Sequence, residues 1–201
     1  MGTKRSLVLG VGVNDWIGPT TIDGKQIKEY LLWKSMIVRC YGDKNIDNLK
    51  SYLGVSCDKK WLSMSAFIED LKSIENYEKV INEDWAMDKD ILEVGNKIYS
   101  KDTVCFVPKE INNAFKGLYS NCNKLPSGIT KRKGSGSFYV SISINGKTKY
   151  LGSFSSLDQA KASFIKARSD NLIDIAARWK GIIADNVYNS IIKHAENMYV
   201  S

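Results

Sequence analysis

Apolar positions in the first half of the chain fall into short, separate groups. Leu7, Val8, Leu9, Val11 and Val13 form an apolar run broken by two glycines, and an Asn14-Asp15 turn follows. Between 27 and 41, Tyr30, Trp33, Met36, Ile37 and Cys40 recur every three or four residues, the spacing of one helix face. Lys34 and Arg39 fall on its more polar side. Ser65-Ala66-Phe67-Ile68 through Leu71 predicts a second helix, with Trp61 docked at its start. Residues 85–107 predict a strand, a Gly95-Asn96 turn and a second strand ending in Cys105-Phe106-Val107. Pro108-Lys109-Glu110 then predicts a helix start, because proline is tolerated in a first turn and acids suit it. That helix runs through Ile111, Asn112 and Phe115.

The second half changes period. Gly128 to Arg132 predicts a short strand, and Phe138 to Ile144 alternates apolar and polar residues, with Val140, Ile142 and Ile144 on the apolar side. Asn145-Gly146 is a strong hairpin signal, and Lys147 to Phe154 is the return strand. Ser156-Leu157-Asp158-Gln159 fits a helix-capping box. Leu157, Ala160, Phe164, Ala167, Leu172, Ile175 and Trp179 mark the helix behind it. A terminal helix is expected over Asn186 to Met198. The fold class is therefore α+β: a strand–turn–strand and helix unit, then three antiparallel strands with a helix across them. The polar stretch Ser120 to Gly128, which holds Pro126, is the expected linker, giving modules 1–125 and 126–201.

Charge sharpens this division. Residues 126–201 carry eleven Lys+Arg against five Asp+Glu, whereas residues 1–125 carry eighteen against seventeen. An asymmetry of this kind points to an anionic partner for the basic half. No apolar run reaches 18 residues, so no membrane helix is expected. The N-terminal apolar run is too short for a secretory signal, and Met1-Gly2 with Ser6 matches a myristoylation pattern only superficially. Cys40, Cys57, Cys105 and Cys122 form no Cys-x-x-Cys pair, which fits small buried thiols in a reducing compartment. His194 is the only histidine, so a site built on several histidines is excluded.

Between 126 and 155 stand Lys131, Arg132, Lys133, Lys147 and Lys149, and no acid. Strict alternation places Tyr139, Ser141 and Ser143 on the face away from the helix. A β-ribbon fits the major groove, and the outward face is expected to carry both hydroxyls and cations, the groups that meet phosphates and base edges. The competing reading is a merely solvated sheet face. Four or five phosphate contacts would give a log K versus log salt slope of about −4 to −5, at roughly −0.9 each. Residues 128–172 resemble the plant ethylene-response-factor (Apetala) type of DNA-binding domain. The shared residues are Gly128-Ile129, Arg132, Phe138-Tyr139-Val140, Tyr150-Leu151-Gly152-Ser153-Phe154 and the Ala160/Phe164/Ala167 helix. The resemblance implies double-stranded DNA as partner, contacted by Lys131, Arg132, Tyr139, Ser141, Lys147 and Lys149.

The acidic strand Met87-Asp88-Lys89-Asp90-Ile91-Leu92 and the paired Asn112-Asn113 have the layout of a small HNH (ββα-metal) nuclease site. Asp88 takes the first metal-ligand position and Asn112 the second, on the helix. Hard oxygen ligands suit Mg²⁺ or Mn²⁺. The competing reading is a surface hairpin with solvated acids. The order of Gly10-Val11-Gly12-Val13-Asn14-Asp15, Trp33-x-x-Met36, Arg39-Cys40-Tyr41, Val55-Ser56-Cys57, Trp61, Phe67, Met87 to Leu92, Gly95-Asn96-Lys97-x-Tyr99-Ser100 and Thr103-x-Cys105-Phe106-Val107 is similar to a group of bacteriophage HNH-like homing endonucleases. There this module commonly precedes the Apetala-type domain. The resemblance implies activity in the cytoplasm of an infected bacterial host.

Two departures stand out. Lys89 occupies the position of the usual general-base histidine. A protonated amine accepts no proton, and Asp88 and Asp90 favour the protonated form. Lys89 then grips the scissile phosphate, with Asp90 or a metal-bound hydroxide as base, or the chain no longer cuts. The resembling group often carries lysine or arginine here. Second, Cys105 stands one residue later than the group's cysteine, which on a strand turns it away from any cluster with Cys40 and Cys57.

The expectation is a site-specific, metal-dependent DNA endonuclease. Asp88, Lys89 and Asp90 are its catalytic residues and Asp88 and Asn112 its metal ligands. Arg39, Lys97, Lys131, Arg132, Lys133, Tyr139, Ser141, Ser143, Lys147 and Lys149 are its DNA contacts. The alternative is a non-cutting DNA-binding protein that acts as a repressor or competes for a target site. A third reading, an RNA-binding sheet, needs paired exposed aromatics, and only Tyr139 is a candidate. The sequence sets no oligomeric state.

Overall fold

The computed structural model describes residues 7–115, 125, 128–144 and 146–198. Most of the expected linker, Cys122 and Asn145 lie outside these residues. The architecture is mixed α+β with small sheets, and contacts divide the chain into Met1–Val107 and Pro108–Ser201.

The first unit opens with a tight hairpin of β1 (Thr21–Ile22) and β2 (Lys25–Gln26). Helix α1 (Lys28–Tyr41) follows as the periodicity predicts and buries Trp33, Met36, Ile37 and Cys40. A short strand β3 (Ser56–Cys57) leads to helix α2 (Met64–Lys72). Trp61 is fully buried just before it, edge-on to Phe67 at 5.0 Å between ring centroids. Its indole N–H donates to Asp70 Oδ2 at 2.8 Å, and its carbonyl accepts from Trp33 Nε1 at 2.8 Å. The start of α2 is held twice. Ser63 Oγ accepts from the Ala66 amide, and Asp15 accepts from the Ser65 amide and the Ser63 hydroxyl. These bonds satisfy first-turn amides that the helix itself leaves open. Helix α3 (Tyr77–Asn82) is tied to α1 through the Tyr77 hydroxyl, which donates to Glu29 at 2.8 Å.

The acidic segment departs from the expected hairpin. Strand β4 (Trp85–Asp88) pairs with β6 (Cys105–Pro108), the end of the expected second strand, while the stretch directly after the Gly-Asn turn forms a separate strand. That strand, β5 (Ile98–Tyr99), runs parallel to β3, with Ser56 opposite Ile98 and Cys57 opposite Tyr99. The reason lies in loop 89–97, which is closed by side-chain bonds described below and carries the chain away from β4.

Helix α4 (Lys109–Phe115) starts where the Pro-Lys-Glu signal places it. It belongs to the second unit by contact. Glu110 accepts from Arg178 and from Trp179 Nε1, and the Ala114 carbonyl accepts from Arg168 at 3.0 Å. Contacts thus divide the chain at Val107/Pro108, upstream of the polar stretch. Strands β7 (Ile129–Lys131), β8 (Phe138–Ile144) and β9 (Lys147–Phe154) form one antiparallel sheet in that order. Helix α5 (Leu157–Trp179) lies on it, with Ile129, Val140, Ala160 and Phe164 at the core. Only half of the capping box forms: Ser156 Oγ accepts from the Gln159 amide, while Gln159 Oε1 accepts from Ser155. Helix α6 (Asp185–Asn197) packs on α5, and the buried Ser169 hydroxyl donates to the Ala195 carbonyl at 2.9 Å. Gly128 is required by close approach: a Cβ there would lie 2.4 Å from the Phe164 ring and from the Ser141 carbonyl oxygen.

Candidate nuclease and nucleic-acid sites

Asp88 ends β4, where Trp85 and Met87 point into the core. Its Oδ1 accepts from the Asp90 amide at 2.7 Å and the Ile91 amide at 3.1 Å, so the carboxylate anchors the turn that follows it. Burial raises its pKa, and the charge of Asp90 adds to this. The two amide bonds and Lys89 pull the other way without cancelling it. A carboxylate held at a fixed orientation and charged at a cost is a feature of functional sites.

Lys89 is only 5 % exposed. Its ammonium donates to Asp90 Oδ1 and, at 2.8 Å, to the Asn96 carbonyl, and it lies 5.9 Å from the centre of the Tyr99 ring. Asn96 completes the lock. Its Nδ2 donates to the Lys89 and Ile98 carbonyls at 2.8 and 2.7 Å, and its Oδ1 accepts from the Ile98 amide at 3.0 Å. Lys89 thus closes a loop from inside.

Arg39, in the last turn of α1, reaches the same region. Its guanidinium donates to the Tyr99 hydroxyl at 3.2 Å and lies 5.4 Å from the Tyr52 ring centre. Burial lowers its pKa, but Tyr99, Tyr52 and the charge of Asp88 outweigh that and hold it above the usual value. Lys97 is exposed. Cys105 is buried on β6 within electrostatic reach of Asp88, and burial pushes its thiol well up. Cys40 and Cys57 share a hydrogen bond, which raises Cys40 and lowers Cys57 to about 7. The Tyr41 hydroxyl lies 3.7 Å from Cys57 Sγ. Among the described residues no three His, Cys, Asp or Glu side chains gather as a metal cluster.

Asp88 lies in the first unit and Asn112, half-buried on α4, in the second. Within the first unit, Asp88 brings a carboxylate whose Oδ1 alone is engaged by the two turn amides. That donor chemistry fits Mg²⁺ or Mn²⁺, since such cations commonly take one or two carboxylates and fill the rest of the shell with water and substrate phosphate.

In the second unit the register decides which side chains share a face. Phe138, Val140, Ile142 and Ile144 face α5, while Tyr139, Ser141 and Ser143 face outward, as alternation predicts. Strand β9 does not follow simple alternation. Its register shifts between Val140 and Ser141, so Ser141 pairs with Tyr150 rather than Leu151. Gly152, at φ +141°, accommodates the bulge. From there on every side chain is flipped. Lys149 stands opposite Ile142 and Lys147 opposite Ile144, on the helix side of the sheet, and Thr148 and Tyr150 take the outer face. Lys131 also stands on the helix side, opposite Phe138. The outer face therefore carries hydroxyls and Arg132, with Lys133 in the adjoining turn, not the full set of cations that alternation suggests.

Tyr150 also corrects the expectation of a lone outer-face tyrosine. It is 52 % exposed and stacks on Tyr139, with ring centroids 4.6 Å apart and 22° between planes. The Arg132 guanidinium lies 5.6 Å from the Tyr139 ring centre. Alternation alone hides Tyr150. The signal that exposes it is Gly152 inside a strand pattern, a mark of a bulge.

No protein-family model, curated protein or solved structure matches the chain. No helix among the described residues is long and apolar enough to cross a membrane.

Proposed function

We propose that the chain is a site-specific DNA endonuclease of the bacteriophage HNH-like homing kind, acting in the cytoplasm of an infected host. Its C-terminal sheet, of the ethylene-response-factor type, binds double-stranded DNA, and the region around Asp88 hydrolyses a phosphodiester. The observation that carries the reading is the setting of Asp88: a half-buried, oriented carboxylate within electrostatic reach of a half-buried arginine. Asp88 would hold Mg²⁺ or Mn²⁺. When bound there, such a cation would supply charge stabilisation at the scissile phosphate and leaving oxygen. Arg39, steadied by Tyr99 and Tyr52, pairs with a phosphate oxygen of the DNA. Asp90, with its side chain 40 % exposed beside Asp88, takes the proton from the attacking water. Lys89, whose buried ammonium donates to Asp90 and Asn96, has a structural part in this reading rather than that of base or phosphate grip.

The test is nicking of supercoiled target DNA with Mg²⁺ or Mn²⁺. Asp88→Ala should slow nicking by about 100-fold or more, the scale of losing a main charge-stabilising group. An Asp88→Ala protein as fast as the parent removes Asp88 from the chemistry.

The second reading is a DNA-binding protein that no longer cuts and acts by occupying its site. The observation that favours it is the same buried Lys89, which fills the position of the usual base with a group committed to loop structure. Sequence-specific protection of DNA without strand ends decides for it.

A further inference from the structure

On the outer face of the C-terminal sheet, groups from three strands stand in a row. Arg132 comes from the β7 side, Tyr139 from β8 and Tyr150 from the edge strand β9. The guanidinium lies against the Tyr139 ring and the two rings stack. The register shift is what creates the row. With unbroken alternation from Ser153, Tyr150 would face the helix side, opposite Ile142. A bulge that re-aims one aromatic onto a solvent face is a recurrent device at binding sites. Around the row stand the hydroxyl residues Thr130, Ser141, Ser143, Thr148 and Ser153, and no acid occurs between 126 and 155.

We infer that Tyr150 is a stacking platform for one unpaired nucleobase, such as a base in a single-stranded or locally opened stretch of DNA. The base extends the Arg132–Tyr139–Tyr150 row as its next planar member. Aromatic rings accept any base face, and a neighbouring guanidinium strengthens such a stack. The surrounding cations and hydroxyls take the backbone phosphates on either side. The inference rests on the DNA-binding reading and narrows it. Duplex docking needs no open base, whereas this site acts only where a base has left the helix.

The experiment measures binding of the full chain to two fluorescent probes at one salt concentration. One is a single-stranded oligothymidylate of about 20 nucleotides; the other is a mixed-sequence duplex of about the same length. Tyr150→Ala should weaken the single strand by about 5- to 100-fold, the range of one lost base–aromatic stack, and change the duplex less than about 2-fold. Tyr150→Trp should restore single-strand binding. In the parent protein, an iododeoxyuridine-substituted strand should photocrosslink to Tyr150, a readout that needs no variant to fold. An unchanged single-strand affinity in a folded Tyr150→Ala protein, or a crosslink that avoids Tyr150, overturns the inference. If the duplex still binds in that case, the DNA-binding reading stands. If neither probe binds, both fall.

Discussion

Asn96 carries more of the acidic site than any of the residues that bear its charge. Three side-chain bonds from this one amide, and a fourth through its carbonyl to Lys89, fix the path of loop 89–97. Buried polar groups left without partners are costly, and removing the amide takes the side-chain partner from the Lys89 carbonyl and the Ile98 amide, while the Ile98 carbonyl keeps the Thr103 hydroxyl. Asn96→Ala should cost about 2–4 kcal/mol in denaturant unfolding of the full chain. A loss below about 0.5 kcal/mol means that the loop does not depend on this lock. Asp88 makes a prediction of the opposite sign. Its raised native pKa means that the folded state holds the proton more tightly than the unfolded chain. Its contribution is fully favourable below the unfolded value and is lost as pH rises through the native value. Asp88→Asn should therefore melt at a higher temperature than the parent at neutral pH. The gain should shrink as pH falls through the raised native value toward the ordinary carboxylate value of 3.8, where both side chains are neutral. A melting difference that grows on acidification contradicts this.

Elements that rest on one strong period were legible in the sequence; elements set by a side-chain lock or a bulge were not. Helices α1, α2 and α5 and strands β7 and β8 stand where apolar spacing places them. The apolar end of the expected second strand does pair with β4, but its start after Gly95-Asn96 does not, although that dipeptide has the look of a hairpin turn. Its asparagine instead bonds back across the loop and releases β5 to β3. The cations of β9 differ from expectation for a related reason. Alternation carries no information about where it breaks, and one extra residue near Gly152 moves Lys147 and Lys149 to the helix side. Asp88, Asp90 and Arg39 stand out as candidates in the sequence itself. What the Lys89 ammonium touches is visible only in the fold. The sheet geometry has a direct consequence for binding. Duplex DNA laid on the outer face meets Arg132 and Lys133, not all five cations of the sheet. Arg132→Ala should flatten the log K versus log salt slope by about 0.9, and Lys149→Ala should leave it unchanged. Equal flattening by both places the DNA across the sheet edge instead.

At the scale of the whole molecule, the positive balance concentrates in residues 126–201 while residues 1–125 are nearly neutral. That distribution fits a division of labour in which the C-terminal sheet holds DNA and the Asp88 region acts on it. The alternative keeps the first part and loses the second, and Lys89 is the point on which the two diverge. The measurement that separates them is a map of strand ends. DNA of the genome that encodes the chain is incubated with the protein and Mg²⁺ or Mn²⁺, and both new ends and protected stretches are located. The account predicts ends at one or a few defined positions beside a protected stretch, lost with Asp88→Ala while protection remains. Protection without ends contradicts the cutting activity, and ends that persist in Asp88→Ala contradict the site assigned to it.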